Sequence, residues 1–228
     1  MSGRITRALR DNGLGLAFGL LFLAALAGQA VAGNADYNAQ QIARGGQTVG
    51  LAAYVTSSAF AVDVAENWQS EYLQFLLYIF ATVWLVQRGS PESKPVDKVG
   101  LESDEAQKVG RYADEQSPWW AAAGGWWTRV YSHSLVLAMG LLFVMSWGAQ
   151  SVAGWARYNS EQFAEFADPV TWATYVASPD FWNRSLQNWQ SEFLAVGSMA
   201  VLSVYLRERG SPESKPVGAA HGVTGETG

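Results

Sequence analysis

Charged residues are absent from four stretches of the chain, and these stretches are rich in apolar side chains. No Asp, Glu, Lys or Arg occurs at 12–35, 72–87, 130–156 and 193–206. A bilayer core about 30 Å thick needs roughly 20 helical residues, so the first and third stretches can span it. The second and fourth reach that length only when each is extended back to a tryptophan and takes in one glutamate. The pattern predicts an all-α integral membrane protein with four transmembrane helices, over about 14–33, 68–87, 133–154 and 189–206.

The chain also repeats itself. A shift of 121 positions aligns 10–96 with 131–217 without a gap, and about 39 of the 87 aligned positions are identical. The segments NWQSE, which begins at Asn67 and Asn188, and RGSPESKPV occur in both copies. Because each copy contains two predicted helices, we predict two tandem two-helix repeats that are related by a pseudo-two-fold axis along the membrane normal.

The basic residues predict an orientation. Arginines precede the first predicted helix at Arg4, Arg7 and Arg10, and more basic residues lie between the two repeats and after the fourth helix. The two hairpin loops inside the repeats carry fewer, namely Arg44, Arg157 and Arg184. The positive-inside rule therefore places both termini and the central linker in the cytoplasm and both hairpin loops outside. The expected location is the plasma membrane, crossed several times.

The N-terminal stretch has an alternative interpretation as a secretory signal, with the cleavage pattern Ala30-Val31-Ala32 after the arginines. Its apolar run is longer than the 7–15 residues typical of a signal. The same QxVAG ending also recurs in the third predicted helix, in the middle of the chain. We therefore expect the first helix to be retained.

Three further segments lie outside the predicted helices. The region 97–130 begins as an acidic, polar linker and ends in a Trp-rich segment from Trp119 to Trp127. We expect the linker to be flexible and the tryptophans to lie along the inner membrane surface, with a partner-binding patch as the alternative. Residues 218–228 are predicted to be a flexible tail. Ser178 followed by Pro179 predicts a helix start, with the serine as N-cap.

The composition argues against several functional classes. The chain has no cysteine, which excludes disulfides and thiolate metal sites, and only two histidines, His133 and His221. A net charge of −5 without a basic face argues against a nucleic-acid partner. No nucleotide-binding, zinc-protease or nucleophile motif occurs in a workable context. We expect no cofactor, no metal and no catalysis.

Glu71 and Glu192, the two glutamates inside the predicted spans, are the most informative charged residues. They lie about one turn inside a tryptophan, at a depth shared by glutamines of the first and third helices. Ionisable groups at that depth need partners or water, so they tend to face the bundle interior. We predict a pseudo-symmetric polar layer of Gln29, Asn67, Gln69, Glu71, Gln150, Asn188, Gln190 and Glu192. The layer could bind a cation or proton, or it could fix helix packing and anchor helix ends at the interface.

The repeated segments NWQSE[YF]L and RGSPESKP, arranged around a Trp-rich linker, carry a resemblance to a known group. They resemble a family of bacterial multi-pass membrane proteins that is described only as a domain of unknown function. The resemblance covers nearly the whole chain. It implies a multi-pass membrane protein, but it implies no activity, substrate or catalytic residue.

Three functional classes remain open. The first is a structural or accessory membrane component that binds lipid, a second copy of itself or another membrane protein. The second is a small cation- or proton-coupled transporter or channel subunit that uses the polar layer around Glu71 and Glu192. The third, a membrane enzyme, lacks acid–base and metal-binding residues. A water-filled cavity that reaches both glutamates would favour transport, and a dry interface at that depth would favour the accessory role.

Overall fold

The regular secondary structure of the computed structural model, which describes residues 9–228, is all helical. Arg4 and Arg7, which contribute to the predicted orientation, lie outside the described residues. The long helices are α1 (Gly13–Ala43), α3 (Ser58–Ala81), α6 (Ser134–Ala164) and α8 (Pro179–Tyr205). The short helices are α2 (Leu51–Val55), α4 (Trp119–Ala122), α5 (Gly125–Ser132) and α7 (Trp172–Val176), with 3-10 turns at Val96–Lys98 and Gly110–Tyr112.

Within the described residues, α1 and α6 are the two helices that are long and apolar enough to cross a membrane. α3 and α8 are 24 and 27 residues long, but polar and charged side chains occupy their first turns and lower their hydropathy. Length and composition therefore identify two candidate spans, where the sequence pattern predicts four.

Side-chain hydrogen bonds mark the ends of α3 and α8, where backbone groups have no partner within the helix. The hydroxyls of Ser57 and Ser178 accept from the backbone N–H groups of Phe60 and Phe181, so α3 and α8 begin well before the predicted spans. At the other end of α3, the Thr82 hydroxyl donates to the carbonyl of Tyr78 at 2.9 Å. α3 thus ends at Ala81 rather than near residue 87.

The same local hydrogen bonds recur in the two copies of the sequence repeat. Asn38 donates to the Val49 carbonyl at 2.9 Å and accepts from its N–H at 2.7 Å. Asn159 makes the same two bonds with Val170, at 3.0 and 2.8 Å. In each copy one asparagine therefore fastens the loop to the long helix that precedes it. We call this end of the helices, which carries both hairpin loops, the loop end.

The opposite end, which carries the two RGSPESKP segments, is called the tail end. Here Lys94 donates to the Gly100 carbonyl at 2.9 Å, and Lys215 donates to the His221 carbonyl at 2.8 Å. Residues 218–228, predicted as a flexible tail, pack against the first copy: the Thr224 hydroxyl accepts from the N–H of Gly89 at 2.8 Å. The Lys215 ammonium is buried, and its three donors meet the backbone carbonyls of Ala220, His221 and Val223.

The four long helices do not pack symmetrically. α3 lies along α6 and touches α8, and its buried face consists of Val62, Ala65, Gln69, Ser70 and Leu73. α1 has no buried residue, and its principal contact is with the short helix α2. The α3–α6 contact has no comparable counterpart between α8 and α1 among the described residues. A pseudo-two-fold arrangement would make these two contacts alike, so the packing departs from the predicted symmetry.

Candidate functional site

An ion pair joins the two copies at the loop end. Arg157 of α6 donates through Nη1 to Oδ1 of Asp63 in α3, at 2.9 Å. Its Nε also bonds to Glu161, one turn further along α6, at 3.1 Å. The guanidinium fork therefore holds one carboxylate from each of two helices.

A second ion pair lies beside the first and again starts from α3. Arg184 of α8 donates through Nη1 to Oε2 of Glu66 at 3.1 Å, and its Nε lies 3.5 Å from a carboxylate oxygen of Asp180. Glu66 and Arg184 are both mostly shielded from solvent, with side-chain exposures of 17% and 27%. α3 is thus joined by charge to both long helices of the second copy.

Burial sets the electrostatics of these carboxylates. Loss of solvent raises the pKa of Asp63 above its usual value, and the opposing charge of Arg157 only partly counters this effect. Burial likewise raises the pKa of Glu66, against the opposing effect of Arg184. Each arginine therefore offsets part of the cost of burying its carboxylate partner.

The self-alignment contains a signal for these pairs that the sequence analysis missed. Asp36 in the first copy corresponds to Arg157 in the second, and Asp63 corresponds to Arg184. The charge changes sign at both positions although the surrounding motifs are retained. Opposite charges at equivalent positions are what two diverged copies need if they are to attract each other.

Two cavities open at the loop end. The larger, about 540 Å³, is bounded by α1, the first hairpin loop, α3 and α6, and Asp36, Tyr37, Asp63, Arg157 and Glu161 are among its lining residues. The smaller, about 290 Å³, is lined by Glu66, Asp180, Asn183, Arg184, Gln187 and Asn188. Both cavities are polar, and each contains one of the inter-copy ion pairs.

Two members of the predicted polar layer are fully buried in the helix contact. Gln69 accepts a hydrogen bond from the indole N–H of Trp189 at 2.7 Å and donates to the Glu66 carbonyl at 3.0 Å. Gln150 donates to the hydroxyl of Ser185 at 3.4 Å. Gln69 thus links α3 to α8, and Gln150 links α6 to α8.

The amide of Gln150 leaves one buried acceptor, Oε1, without a partner among the described residues. The Ser185 hydroxyl already receives two donors, the amide of Gln150 and the indole of Trp147 at 3.4 Å. Rotation of the amide by 180° would let the serine hydroxyl donate to Oε1 instead. The rotation would turn the amide nitrogen to the position that Oε1 leaves, so one polar atom of Gln150 stays without a partner among the described residues in either orientation.

The other members of the predicted layer lie nearer the surface. Asn67, Glu71 and Gln190 are exposed, and Gln29, Asn188 and Glu192 are half-buried. The buried part of the layer is thus built from glutamine, tryptophan and serine, and not from the two glutamates.

No group of three or more His, Asp or Glu is placed to hold a metal ion within residues 9–228. The side chains of the loop-end site can accept or donate hydrogen bonds and can exchange ion-pair partners. A family model described as a domain of unknown function (DUF6766) matches residues 5–226 of the chain. No curated protein and no solved structure matches it.

Proposed function

The chain belongs to the DUF6766 family, and we propose that it is a structural or accessory membrane protein, without catalysis. In this proposal all four long helices enter the bilayer, the loop end faces outward, and both termini lie in the cytoplasm. The membrane is the plasma membrane. The function is to hold a fixed arrangement of helices to which lipid or another membrane protein binds.

The exposed surface of α1 supports a lipid environment. Leu14, Phe18 and Leu20 are 77%, 65% and 69% exposed, and they belong to the apolar part of α1, a helix with no buried residue. A soluble protein rarely leaves such a surface to water, whereas hydrocarbon solvates it without cost. The proposal therefore explains why 13–33 of this helix carries a single polar side chain, Gln29, whereas the rest of the helix is polar.

The polarity of α3 and α8, the two shorter of the long helices, suits membrane spans that lie beside α6. Their polar first turns lie at the loop end, and their apolar residues follow toward the tail end. At the end of α8, Arg207 donates to the carbonyls of Ser203 and Val204 at 3.2 and 3.1 Å, so its charge lies where a helix end leaves the apolar region. This placement favours four spans over two.

The proposal rests mainly on one observation: polar side chains near the predicted layer form contacts between helices. The pairs Asp63–Arg157, Glu66–Arg184 and Gln69–Trp189 each connect α3 to a helix of the second copy. Polar groups at this depth thus hold helices together, as in the packing alternative from the sequence. Neither of the two loop-end cavities is lined by Glu71 or Glu192, which the transport alternative requires.

Purified protein in vesicles tests the proposal against transport. We compare the wild type with the double variant Glu71→Gln, Glu192→Gln in proteoliposomes that contain a pH-sensitive dye, under imposed proton and potassium gradients. We expect flux equal to that of empty vesicles for both proteins, and unchanged elution in detergent. Flux by the wild type that the double variant abolishes would contradict the proposal and support a coupled transporter.

The matched variant Gln69→Leu tests the packing role. It removes the acceptor of the Trp189 indole and the donor to the Glu66 carbonyl. We expect a lower thermal unfolding midpoint than for Glu71→Gln, because Glu71 is exposed and Gln69 is buried. Equal unfolding midpoints for the two variants would count against a packing role for Gln69.

A further inference from the structure

The contact between α3 and α6 has two complementary faces. On α3 the face includes the buried residues Val62, Gln69 and Leu73. On α6 the buried residues include Ser146 and Gln150, of which Gln150 donates to Ser185 of α8. Toward the tail end, the Leu76 side chain fills the space next to Gly140, 3.7 Å from where a Cβ on that glycine would lie.

The face of α8 that corresponds to the buried face of α3 is uncovered. The equivalents of Val62, Ala65, Gln69, Leu73 and Leu76 are Asn183, Leu186, Gln190, Leu194 and Gly197. All five are exposed, although Gln190 and Leu194 are identical to their buried counterparts. A Cβ added to Gly197 would meet no atom within 4 Å.

The corresponding part of α1 is uncovered at Gly19, although Phe22 packs against Trp68 of α3 with ring centroids 6.1 Å apart. Gly19, Phe22 and Gln29 are identical to their equivalents Gly140, Phe143 and Gln150. Gly19 has open space around it, where Gly140 meets Leu76. Gln29 is half-buried, where Gln150 is completely buried.

We infer that the uncovered face of α8 packs on the uncovered face of α1 in a second copy of the chain. This contact repeats, between chains, the contact that α3 and α6 make within one chain. The inference rests on the proposed membrane function, since both faces would lie in lipid. Each chain presents the α8 face and the α1 face. Two chains that use both faces around a two-fold axis form an isologous dimer, whereas chains that each use α8 on one side and α1 on the other form a ring.

Charge complementarity supports a second copy as the occupant. The internal contact places Asp63 of α3 against Arg157 of α6. The equivalent positions are Arg184 on α8 and Asp36 on α1. Both signs are reversed, so the pair between chains is again attractive. In its own chain Arg184 also pairs with Glu66 through Nη1 and with Asp180 through Nε, which leaves three of its five N–H donors for a second chain.

The shapes at the tail end are compatible as well. The internal contact pairs Leu76 with Gly140, whereas the contact between chains pairs Gly197 with Gly19. Two facing glycines let helix backbones approach closely, and close packing is what holds helices together in lipid. The second interface is therefore expected to be tighter at this level than the internal one.

Cysteine cross-linking tests the inference cleanly, because the chain has no cysteine of its own. Two tagged forms of the full chain, Gly19→Cys and Gly197→Cys, are expressed together, and the membranes are oxidised. We expect a disulfide-linked pair that carries both tags. The matched control uses Leu21→Cys and Met199→Cys, which are exposed and lie two residues along, on the opposite sides of the same helices.

We expect the disulfide-linked pair that carries both tags to be several-fold more abundant than in the control. We expect its amount to fall several-fold when Asp36→Lys is added to the Gly19→Cys chain. Absence of the mixed pair while Leu76→Cys and Gly140→Cys cross-link within one chain would overturn it, and lipid would then cover both faces. A cross-link that forms only when Gly19→Cys and Gly197→Cys are on one chain would also overturn it, because α1 would then close onto its own α8. Reporters of membrane topology separate these outcomes from a failure of the proposed function.

Discussion

Gly154 and Tyr175 show how a single residue sets the approach of a loop to a long helix. Tyr175 of α7 is buried with its hydroxyl against the Cα of Gly154, and a Cβ at that position would overlap the hydroxyl. Gly33 and Tyr54 make the same contact in the first copy. The glycine of VAG is therefore retained in both copies because the tyrosine of AxYV needs the space.

At this scale we predict that Gly154→Ala lowers stability by about 1–3 kcal/mol, the usual cost of overpacking a buried contact. Thermal unfolding in detergent measures the effect. The control is Gly148→Ala in the same helix, where a Cβ meets no atom within 4 Å, and where alanine favours the helix by up to about 1 kcal/mol. Equal losses for the two variants, or no relief when Tyr175→Phe is combined with Gly154→Ala, would contradict the tyrosine contact.

The depth of residues could be predicted from the sequence, but their direction around the helix could not. Counting from a tryptophan placed Gln69 in a polar layer, counting from a predicted helix end placed Gln150 there, and both are buried and hydrogen-bonded. The same counting placed Glu71 there, but it lies two residues from Gln69, about 200° around the helix, and is exposed. Hydrophobic periodicity is weak in a span that is apolar on all sides, so it does not identify the inward face.

At the scale of elements, α3 and α6 are held at the loop end by Arg157 and Asp63. We predict that Arg157→Gln lowers the free energy of unfolding by about 1–2 kcal/mol more than Asp63→Asn does. Without the arginine, a partly buried carboxylate loses its partner, whereas without the aspartate Arg157 still pairs with Glu161. Thermal unfolding at pH 7 compares the two, with the exposed Arg209→Gln as control.

The loss in Arg157→Gln is expected to shrink in acid. Burial raises the pKa of Asp63 above its usual value of 3.8, and removal of Arg157 removes the larger of the two arginine effects that oppose this rise, the other being that of Arg184. A carboxyl with a raised folded-state pKa takes up a proton on folding, so stability increases as the pH falls through that pKa toward 3.8. A loss that stays constant between pH 7 and pH 4 would show that Asp63 does not need its charge compensated.

Element boundaries could be predicted where a side chain marks them. Ser178 and Pro179 predicted the start of α8, and the structure confirms a capped helix that begins at Pro179. The end of α3 could not be predicted, because Ala81 lies inside an apolar stretch and the helix stops where Thr82 turns back on the carbonyl of Tyr78. The ion pairs were missed because they depend on which helices become neighbours.

At the scale of the whole molecule, a duplicated sequence has produced unequal packing. Each repeat has the same asparagine bridge and the same tyrosine under a glycine, so local structure follows the sequence repeat. The faces of α3 and α8 nevertheless differ in burial, with Leu73 buried and Leu194 67% exposed. Identical residues cannot indicate which copy is covered, because that depends on the neighbours and not on the residue.

Four helices that cross the membrane with both hairpin loops outside place residues 47 and 165 outside the cell and residues 105 and 227 in the cytoplasm. The direct measurement labels single cysteines in intact cells with a membrane-impermeant thiol reagent, using Gln47→Cys, Glu105→Cys, Glu165→Cys and Thr227→Cys in a chain that has no native cysteine. We expect labelling at 47 and 165 in intact cells, and at 105 and 227 only after the cells are opened. Labelling at 47 and 105 but not at 165 would mean that only α1 and α6 cross, and would rule out the four-span topology.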